Sequence, residues 1–406
     1  MVRLVLFPDA RGTSVTRTLH CAHQPNLDSM RSPLPAAPSG AVNVRRGHFV
    51  MAAPAMRWWL MVLLLLATTA CASPPLVTVQ PARARYGAVV DSRFSGRDGD
   101  RVAGEATYRT VGGALTAAPE SSPAPFIIFV RNGRYHEKLV VEKPNITLRG
   151  ESRDGVVLTF DTNADTPNPD GGTYGTRGSF TLRVAAPDFR AEHLTIENAF
   201  DYRANAARAA NDPAKVKNTQ AVALHLDRGS DRATVVDCVI AGWQDTLYAN
   251  AGRAYFKDCI ILGHVDFIFG AGTAVFDDCD IVSRAAGYIT APSTPPLQLY
   301  GFVFMGSRLG RESDAVKPNT VALGRPWHPS SNPDVNPSAV FIDCNLDDHI
   351  TTEGWAPMGA YQPATARFFE YHDHGVGAVK HPARRLLNDA GALRYGITEV
   401  LGGWKP

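Results

Sequence analysis

Asp245 and Asp266 are the residues of this 406-residue chain whose type and spacing point most directly to chemistry. Residues 235–248 align without a gap on residues 256–269. Cys238 falls on Cys259, Gly242 on Gly263 and Asp245 on Asp266, each pair 21 residues apart. A shorter third copy over 276–282 places Cys279 a further 20 residues along. If one repeat is one coil of a parallel β-solenoid, the two aspartates lie on neighbouring strands, with backbones about 4.8 Å apart. Two carboxylates that close cannot both ionise easily. One then stays charged and can attack as a nucleophile, while the other keeps its proton and can act as a general acid. The plainer reading makes both aspartates turn residues that end their coils. Their surroundings favour chemistry. Gln244 precedes Asp245, and Gln220 opens the apolar run 220–224. Neutral amide donors beside a carboxylate pair can stabilise a developing oxyanion. Asp266 is followed by Phe267-Ile268-Phe269-Gly270, an apolar wall against water.

The elements that must position these groups are short, turn-bounded strands. From about Tyr108 the chain runs through Phe126-Ile127-Ile128-Phe129-Val130, 139–141, 146–148, 156–160 and 180–184, rich in β-branched and aromatic residues. His193 to Asn198 has the same shape as the cysteine-bearing strands. Residues 301–305 and 340–344 read as later coils. The segment 200–219 reads as an insertion with no strand signal, 306–338 as a long excursion rich in Pro, Ser and Asn, and 384–395 as a short helical piece that caps the open end of the solenoid. The predicted fold is all-β: a right-handed parallel β-helix with coils of about 20 residues, long loops forming a substrate cleft, and a small helical C-terminal cap.

The N-terminal stretch sets the compartment. Residues 56–67 give a start, one positive charge and a short apolar run; Thr68-Thr69-Ala70-Cys71 then supplies a cleavage-type end. The run is too short to span a bilayer and reads as a secretory signal. A cysteine directly after small residues resembles the bacterial lipoprotein signal, in which Cys71 is lipidated. The expected organisation is 1–50 as an over-extended reading frame or leader, 51–71 as signal, 72–107 as tether and N-terminal cap, and 108–406 as the catalytic solenoid. Seven of the 41 basic residues and two of the 39 acidic ones lie in 1–71, leaving 34 against 37, a net charge of −3. That balance excludes a polycation for nucleic acid. Cys238, Cys259, Cys279 and Cys344 each follow an aspartate. Stacked coils allow Cys238–Cys259 or Cys259–Cys279 as a disulfide, or a stack of free thiols in the core.

Five blocks carry a resemblance. Gly133-Arg134-Tyr135-His136-Glu137, Gln220-Ala221-Val222-Ala223-Leu224, Gln244-Asp245-Thr246-Leu247-Tyr248, Asp266-Phe267-Ile268-Phe269-Gly270 and Leu323-Gly324-Arg325-Pro326-Trp327 occur in that order. Together they resemble the signature blocks of the pectinesterases (pectin methylesterases), from about Tyr108 to the C-terminus. The resemblance implies a carboxylic ester hydrolase that removes methyl esters from the homogalacturonan of pectin. In its terms Asp266 is the nucleophile, Asp245 the proton donor and then the general base, and Gln220 and Gln244 the oxyanion hole. Arg325 orients the nucleophile, and Thr176, Trp327 and Met358 contact substrate. It also implies a Cys259–Cys279 bond, no cofactor or metal, a monomer, and a bacterial location either secreted or on the outer membrane through lipidated Cys71.

Two other readings share the fold. A pectate lyase would need calcium on several carboxylates, and the ordered glutamine–aspartate blocks speak against it. A relative in the envelope could act on another ester or thioester. The chain has no Gly-x-Ser-x-Gly elbow, so it is not read as a serine hydrolase. His264 is read as a variable turn position, and His372 and His374 as parts of an exposed loop rather than metal ligands.

Overall fold

The computed structural model describes residues 86–406. The segments 1–50, 51–71 and 72–85, Cys71 among them, lie outside the described residues.

Repeated apolar residues in register build the stack. Phe256 pairs with Phe276, Phe276 with Phe304, and Phe304 with Phe341, each on the next parallel strand. Their rings stack face to face at 4.9, 4.4 and 4.4 Å, like coins along the axis. All four are fully buried. The strands Arg253–Lys257, Thr273–Asp277, Phe302–Met305 and Ser338–Ile342 that carry them belong to one 12-stranded sheet. A 13-stranded sheet makes the remaining walls, and the only antiparallel strand pair among the described residues is Arg101–Val102 with Glu105–Tyr108. The fold is the right-handed parallel β-helix.

The corners explain why an aspartate precedes each cysteine. His193, Asp237, Asp258, Asp278, Asp343 and His372 all turn the chain with φ between 48° and 54°. Short polar side chains enter the left-handed region at lower cost than bulky ones. A second column of such corners holds Asp245 (φ 64°) and Asp266 (φ 49°). Here the strands Ile260–Gly270 and Asp280–Pro292 run through two walls without ending, so Asp266 lies inside a long strand rather than in a loop. Their pairing shifts register between Gly263 and Val265 and again before Ile268. The kink requires Gly263, because a Cβ there would sit 2.2 Å from Phe267 Cβ.

Several expectations are corrected. The solenoid begins ahead of Tyr108: Ala88–Val90 already pairs in parallel with Phe126–Val130. The N-terminal helix Val111–Ala117, capped by Thr110, buries Val111, Ala114 and Leu115 in the core. The excursion 306–338 contributes two strands to the stack, Arg308–Arg311 and Val321–Gly324. The insertion 200–219 has no strand but carries the helix Tyr202–Ala207. At the C-terminal end, residues 385–387 pair with Glu370 of Arg367–Tyr371, the last strand of the 12-stranded sheet, and the short helices follow from Asp389. Val400 and Leu401 pack on the flank of the 12-stranded sheet against Val275 and Val303, outward-facing residues that would otherwise be an apolar patch.

The cysteine column is also corrected. Cys238, Cys259, Cys279 and Cys344 are free and buried, so the expected Cys259–Cys279 bond is not formed. Each sulfur turns toward main-chain carbonyls: Cys259 Sγ lies 3.3 Å from both Val235 O and Lys257 O, and Cys279 Sγ lies 3.6 Å from Phe256 O. The thiols fill the core as small apolar groups.

Phe304→Ala, which removes a ring stacked on both faces, is expected to cost about 3–5 kcal/mol. Denaturant unfolding followed by circular dichroism measures it. A loss below about 1 kcal/mol would mean that the phenylalanine stack is not what holds the coils together.

Candidate active site

Asp266 is 6% exposed and takes a two-pronged ion pair from Arg325. Nε donates to Oδ1 at 2.8 Å and a terminal nitrogen to Oδ2 at 2.6 Å. Arg325 follows the strand Val321–Gly324, and its own N–H donates to Thr290 O of the neighbouring long strand at 3.0 Å. Gly324 allows that approach, since a Cβ there would lie 2.0 Å from Thr290 Oγ1. The guanidinium also sits 3.9 Å from the centroid of Tyr288. Such a fork matches carboxylate geometry and is more weakly hydrated than an ammonium, so it suits a buried pair.

Asp245 lies on the preceding coil, its N–H donating to Val265 O at 3.1 Å. Its carboxyl is buried and has no comparable partner. Burial and then the charge of Asp266 push its pKa well above the usual carboxylate range, and Arg325 opposes them. Asp266 is also raised: burial outweighs the lowering by its bonds to Arg325. Arg325 lowers it, but by less than burial raises it. The two are still split in the expected order, because only Asp266 is bonded to the arginine. A proton shared by the dyad rests on Asp245, and the charge rests on Asp266.

The two glutamines face each other across a parallel bridge between coils. Thr219 Oγ1 donates to Gln244 Oε1 at 2.7 Å, which leaves the amide NH2 of Gln244 without an internal claim on it. Gln220 Oε1 is buried without a partner. Thr219 was not singled out by sequence reasoning. It lies at the end of the insertion 200–219, and no repeat or motif marks it.

Beyond the dyad, Tyr248 and Phe269 stack at 4.1 Å, 8° from parallel, and Trp327 tilts against Phe269 at 5.7 Å. These rings, with Phe180 and Val222, form an apolar cluster separate from the main core. The repeat held the signal for this ladder, since Tyr248 and Phe269 occupy equivalent positions. Thr176 sits on the turn Gly175–Gly178, tied to the site through Ala164. Gly175 N–H donates to Ala164 O, and Ala164 N–H to Gln220 O. Met358 lies one step further out: it pairs with Tyr361, whose ring stacks on His328 next to Trp327 at 3.6 Å. Cys259 and Cys279 are in the core and take no part. His264 is buried in the strand Ile260–Gly270 rather than in a turn, and burial holds its pKa down to about 4, so it is a neutral aromatic surface at ordinary pH. His372 and His374 are exposed.

Comparison with known proteins agrees with the resemblance. The profile of the Pectinesterase family matches residues 101–402. Pectinesterase A of Dickeya chrysanthemi is 42% identical over 351 residues, covering 80% of this chain and 93% of that protein. The pectinesterase of carrot is 34% identical over 288 residues, covering 68% and 82%. The pectin methylesterase structure from Erwinia chrysanthemi superposes with a TM-score of 0.74 at 43% identity, covering 79% of this chain and 98% of that one. A pectin methylesterase in complex with a hexasaccharide gives 0.72 at 40% identity, with the same coverage.

The raised carboxyl of Asp245 has a consequence for stability. Below the ordinary aspartate value, about 3.9, both folded and unfolded states hold the proton and Asp245 contributes nothing. As pH rises past it the unfolded chain ionises while the folded one does not, so stability falls until the folded group also titrates. Asp245→Asn removes this cost. Its melting temperature is expected to exceed that of the wild type by more at pH 7 than at pH 4, with each kcal/mol appearing as about 2–4 °C. Thermal melts at the two pH values check it; an equal difference at both would contradict burial as the cause.

Proposed function

The chain belongs to the pectinesterase family, and from that premise we propose how its residues remove methyl esters from pectin to give pectate and methanol. The observation that carries the proposal is the unequal pair: one buried carboxylate locked to Arg325, and one buried carboxyl left without a cation.

Asp266 attacks the carbonyl carbon of a galacturonate methyl ester. Arg325 holds both its oxygens, which keeps it ionised in a dry site and fixes its aim. The carbonyl oxygen becomes an oxyanion, met by the amide N–H groups of Gln220 and Gln244; Thr219 supports this by occupying the carbonyl end of Gln244. Collapse breaks the bond to the methoxy oxygen, which takes the proton of Asp245 and leaves as methanol. Asp245, now charged, draws a proton from a water that attacks the acyl-enzyme, and Asp266 is released with the pectate carboxylate. Thr176, Trp327 and Met358, with the Tyr248–Phe269 ladder, line the surface on which the sugar chain lies. No step requires a cofactor or a metal ion.

The rate is expected to rise with pH as the dyad loses its first proton and to fall as it loses the second. Both limbs are displaced above ordinary carboxylate values by burial. Asp266→Ala should lower methanol release from methylated pectin by roughly 10⁴-fold or more. Asp266→Asn, which keeps the shape, should do the same. Full activity in either variant would sink the nucleophile assignment, and no methanol from the wild type would sink the pectin reading.

The enzyme is further proposed to be exported and lipid-anchored through Cys71, supported by the apolar run 56–67 that ends in small residues and this cysteine. Cys71→Ser is expected to move the protein from the membrane fraction to the soluble one. An unchanged distribution would remove the anchor.

A further inference from the structure

We infer that Lys138 is a positioning residue for the surface on which the sugar chain lies: from behind that surface it holds the turn carrying Thr176 and the ring of Phe180. The inference rests on the pectin reading above.

Lys138 directly follows the block 133–137, whose residues take no part in the reaction. Glu137 ends that block and caps the helix Val111–Ala117, accepting from Val111 and Gly112 N–H at 2.9 and 2.8 Å. The strand Leu139–Val141 then pairs in register with Leu182–Val184, and Leu139 N–H donates to Thr181 O at 2.8 Å. Lys138 therefore stands one coil from the segment 178–181. Its ammonium donates to Gly178 O at 2.5 Å and to Phe180 O at 2.7 Å, with Thr162 Oγ1 at 3.4 Å. Those contacts occupy its three donors. The same nitrogen lies 3.9 Å from the ring centroid of Phe180, 4.6 Å from that of Tyr174 and 5.6 Å from that of Phe160. A cation enclosed by rings and carbonyl oxygens is attracted to both, more strongly as water is removed.

Between the turn Gly175–Gly178 and the strand Leu182–Val184, three successive carbonyls are taken by side chains instead of by a neighbouring strand. Lys138 takes Gly178 O and Phe180 O, and Asn198 Nδ2 donates to Ser179 O between them at 2.8 Å. Buried main-chain oxygens need such partners. At one end of this segment Thr176 O accepts from Ser179 Oγ at 2.9 Å; at the other Phe180 packs with Val222, Tyr248 and Phe269. Gln220 is held separately, by its bridge to Gln244 and by Ala221 N–H donating to Gln244 O at 3.1 Å. Releasing Lys138 is therefore felt at Thr176 and Phe180 rather than at the reacting groups.

The charge of Lys138 is not answered by an acid. Among the described residues no carboxylate pairs with it, and the charged group that acts on it is Arg183, of the same sign, on the strand Leu182–Val184. Arg183 is itself met by Asp227 and Glu142 at 3.4 and 3.7 Å. Tyr174 turns its ring to the ammonium. Burial, and then Arg183, hold the pKa of Lys138 down to about 8. As pH rises through that value the proton is lost, and with it the attraction to the rings and the charge assistance of the hydrogen bonds. The grip is present at neutral pH and released in alkali.

Lys138→Met keeps the length and the apolar stem but not the charge. At pH 7 it is expected to raise KM for methylated pectin roughly tenfold, with kcat changed by less than about twofold. The ratio of the two KM values, variant over wild type, cancels whatever the dyad contributes to the pH profile. That ratio should fall toward one between pH 7 and pH 9, as the wild type loses its own ammonium. Methanol from uncatalysed saponification is subtracted at each pH. An unchanged KM at pH 7, or a ratio that stays constant across this range, would overturn the proposal. A fall in kcat as large as the rise in KM would also overturn it, by placing Lys138 among the reacting groups or in folding alone. Hydrogen exchange of the amides 175–181 reads the grip without substrate. Their protection, relative to the intrinsic exchange rate, should drop in the wild type between pH 7 and pH 9 and be low in Lys138→Met at both. Equal protection in the wild type at the two pH values would overturn the proposal even if the variant does not fold. Because exchange needs no pectin, failure here is distinct from a wild type that releases no methanol, which is failure of the pectin reading.

Discussion

The ion pair between Asp266 and Arg325 is the interaction around which the rest of the site is arranged. Burying two opposite charges is expensive, and the attraction between them repays that cost only when the geometry is close to ideal and other groups satisfy what remains. Here the fork is two-pronged, the arginine lies on Tyr288, and its backbone is pinned to Thr290 by a contact that only Gly324 permits. Asp266 in turn sits at a left-handed corner inside a strand that is paired on both sides. The β-helix supplies this rigidity at low entropic cost, because each coil is fixed by the coils above and below. A loop could bring the same residues together but would not hold the fork to the same tolerance.

Asp245 shows how two similar aspartates can come to differ. Both stand at matched corners, one coil apart, and both are buried. The asymmetry comes from outside the repeat: Arg325 arrives from a later coil and reaches only Asp266. Removing water raises both carboxyls, and the arginine offsets this for one of them. Stacking sets the distance between the groups, whereas the later coil sets their protonation. Gln244 and Val265, equivalent in the repeat, differ as well: only Gln244 carries an amide, and Thr219 from the insertion holds its carbonyl end.

Much of this was legible in the sequence because it is periodic. The interval between Cys238 and Cys259 fixes the register, and the register places Asp245 beside Asp266 and Tyr248 beside Phe269. The strands Phe126–Val130, Leu139–Val141 and Val156–Phe160 were readable to the residue. What was not legible depends on contacts across non-periodic chain. Thr219 gains its place from how the insertion 200–219 returns to the coil. The packing of Val400 and Leu401 on the outward-facing Val275 and Val303 lies beyond the piece 384–395 and carries no repeat or motif. His264 looked like a turn residue because the strand Ile260–Gly270 passes through its corner without breaking, which periodicity cannot reveal. The cysteines share a column, yet their thiols remain free and lie against main-chain carbonyls. The net pKa of Asp266 depends on depth of burial, which residue identity does not state.

The same corners serve structure in one column and chemistry in another. In the Asp237, Asp258, Asp278 and Asp343 column, the left-handed backbone turns the chain and the side chains face outward to partners such as Arg153 or Lys257. In the Asp245 and Asp266 column the same residue type at the same backbone angle faces a dry cleft. A carboxylate at a left-handed corner is thus an ordinary component of this solenoid, tolerated because Asp is among the few residues that adopt the turn readily. Burial, not the turn, raises its pKa. Asp245 and Asp266 are 7% and 6% exposed, whereas the side chains of Asp258 and Asp278 in the other column are 57% and 58% exposed. The stability given up by holding Asp245 protonated is therefore confined to the one column of corners that is buried.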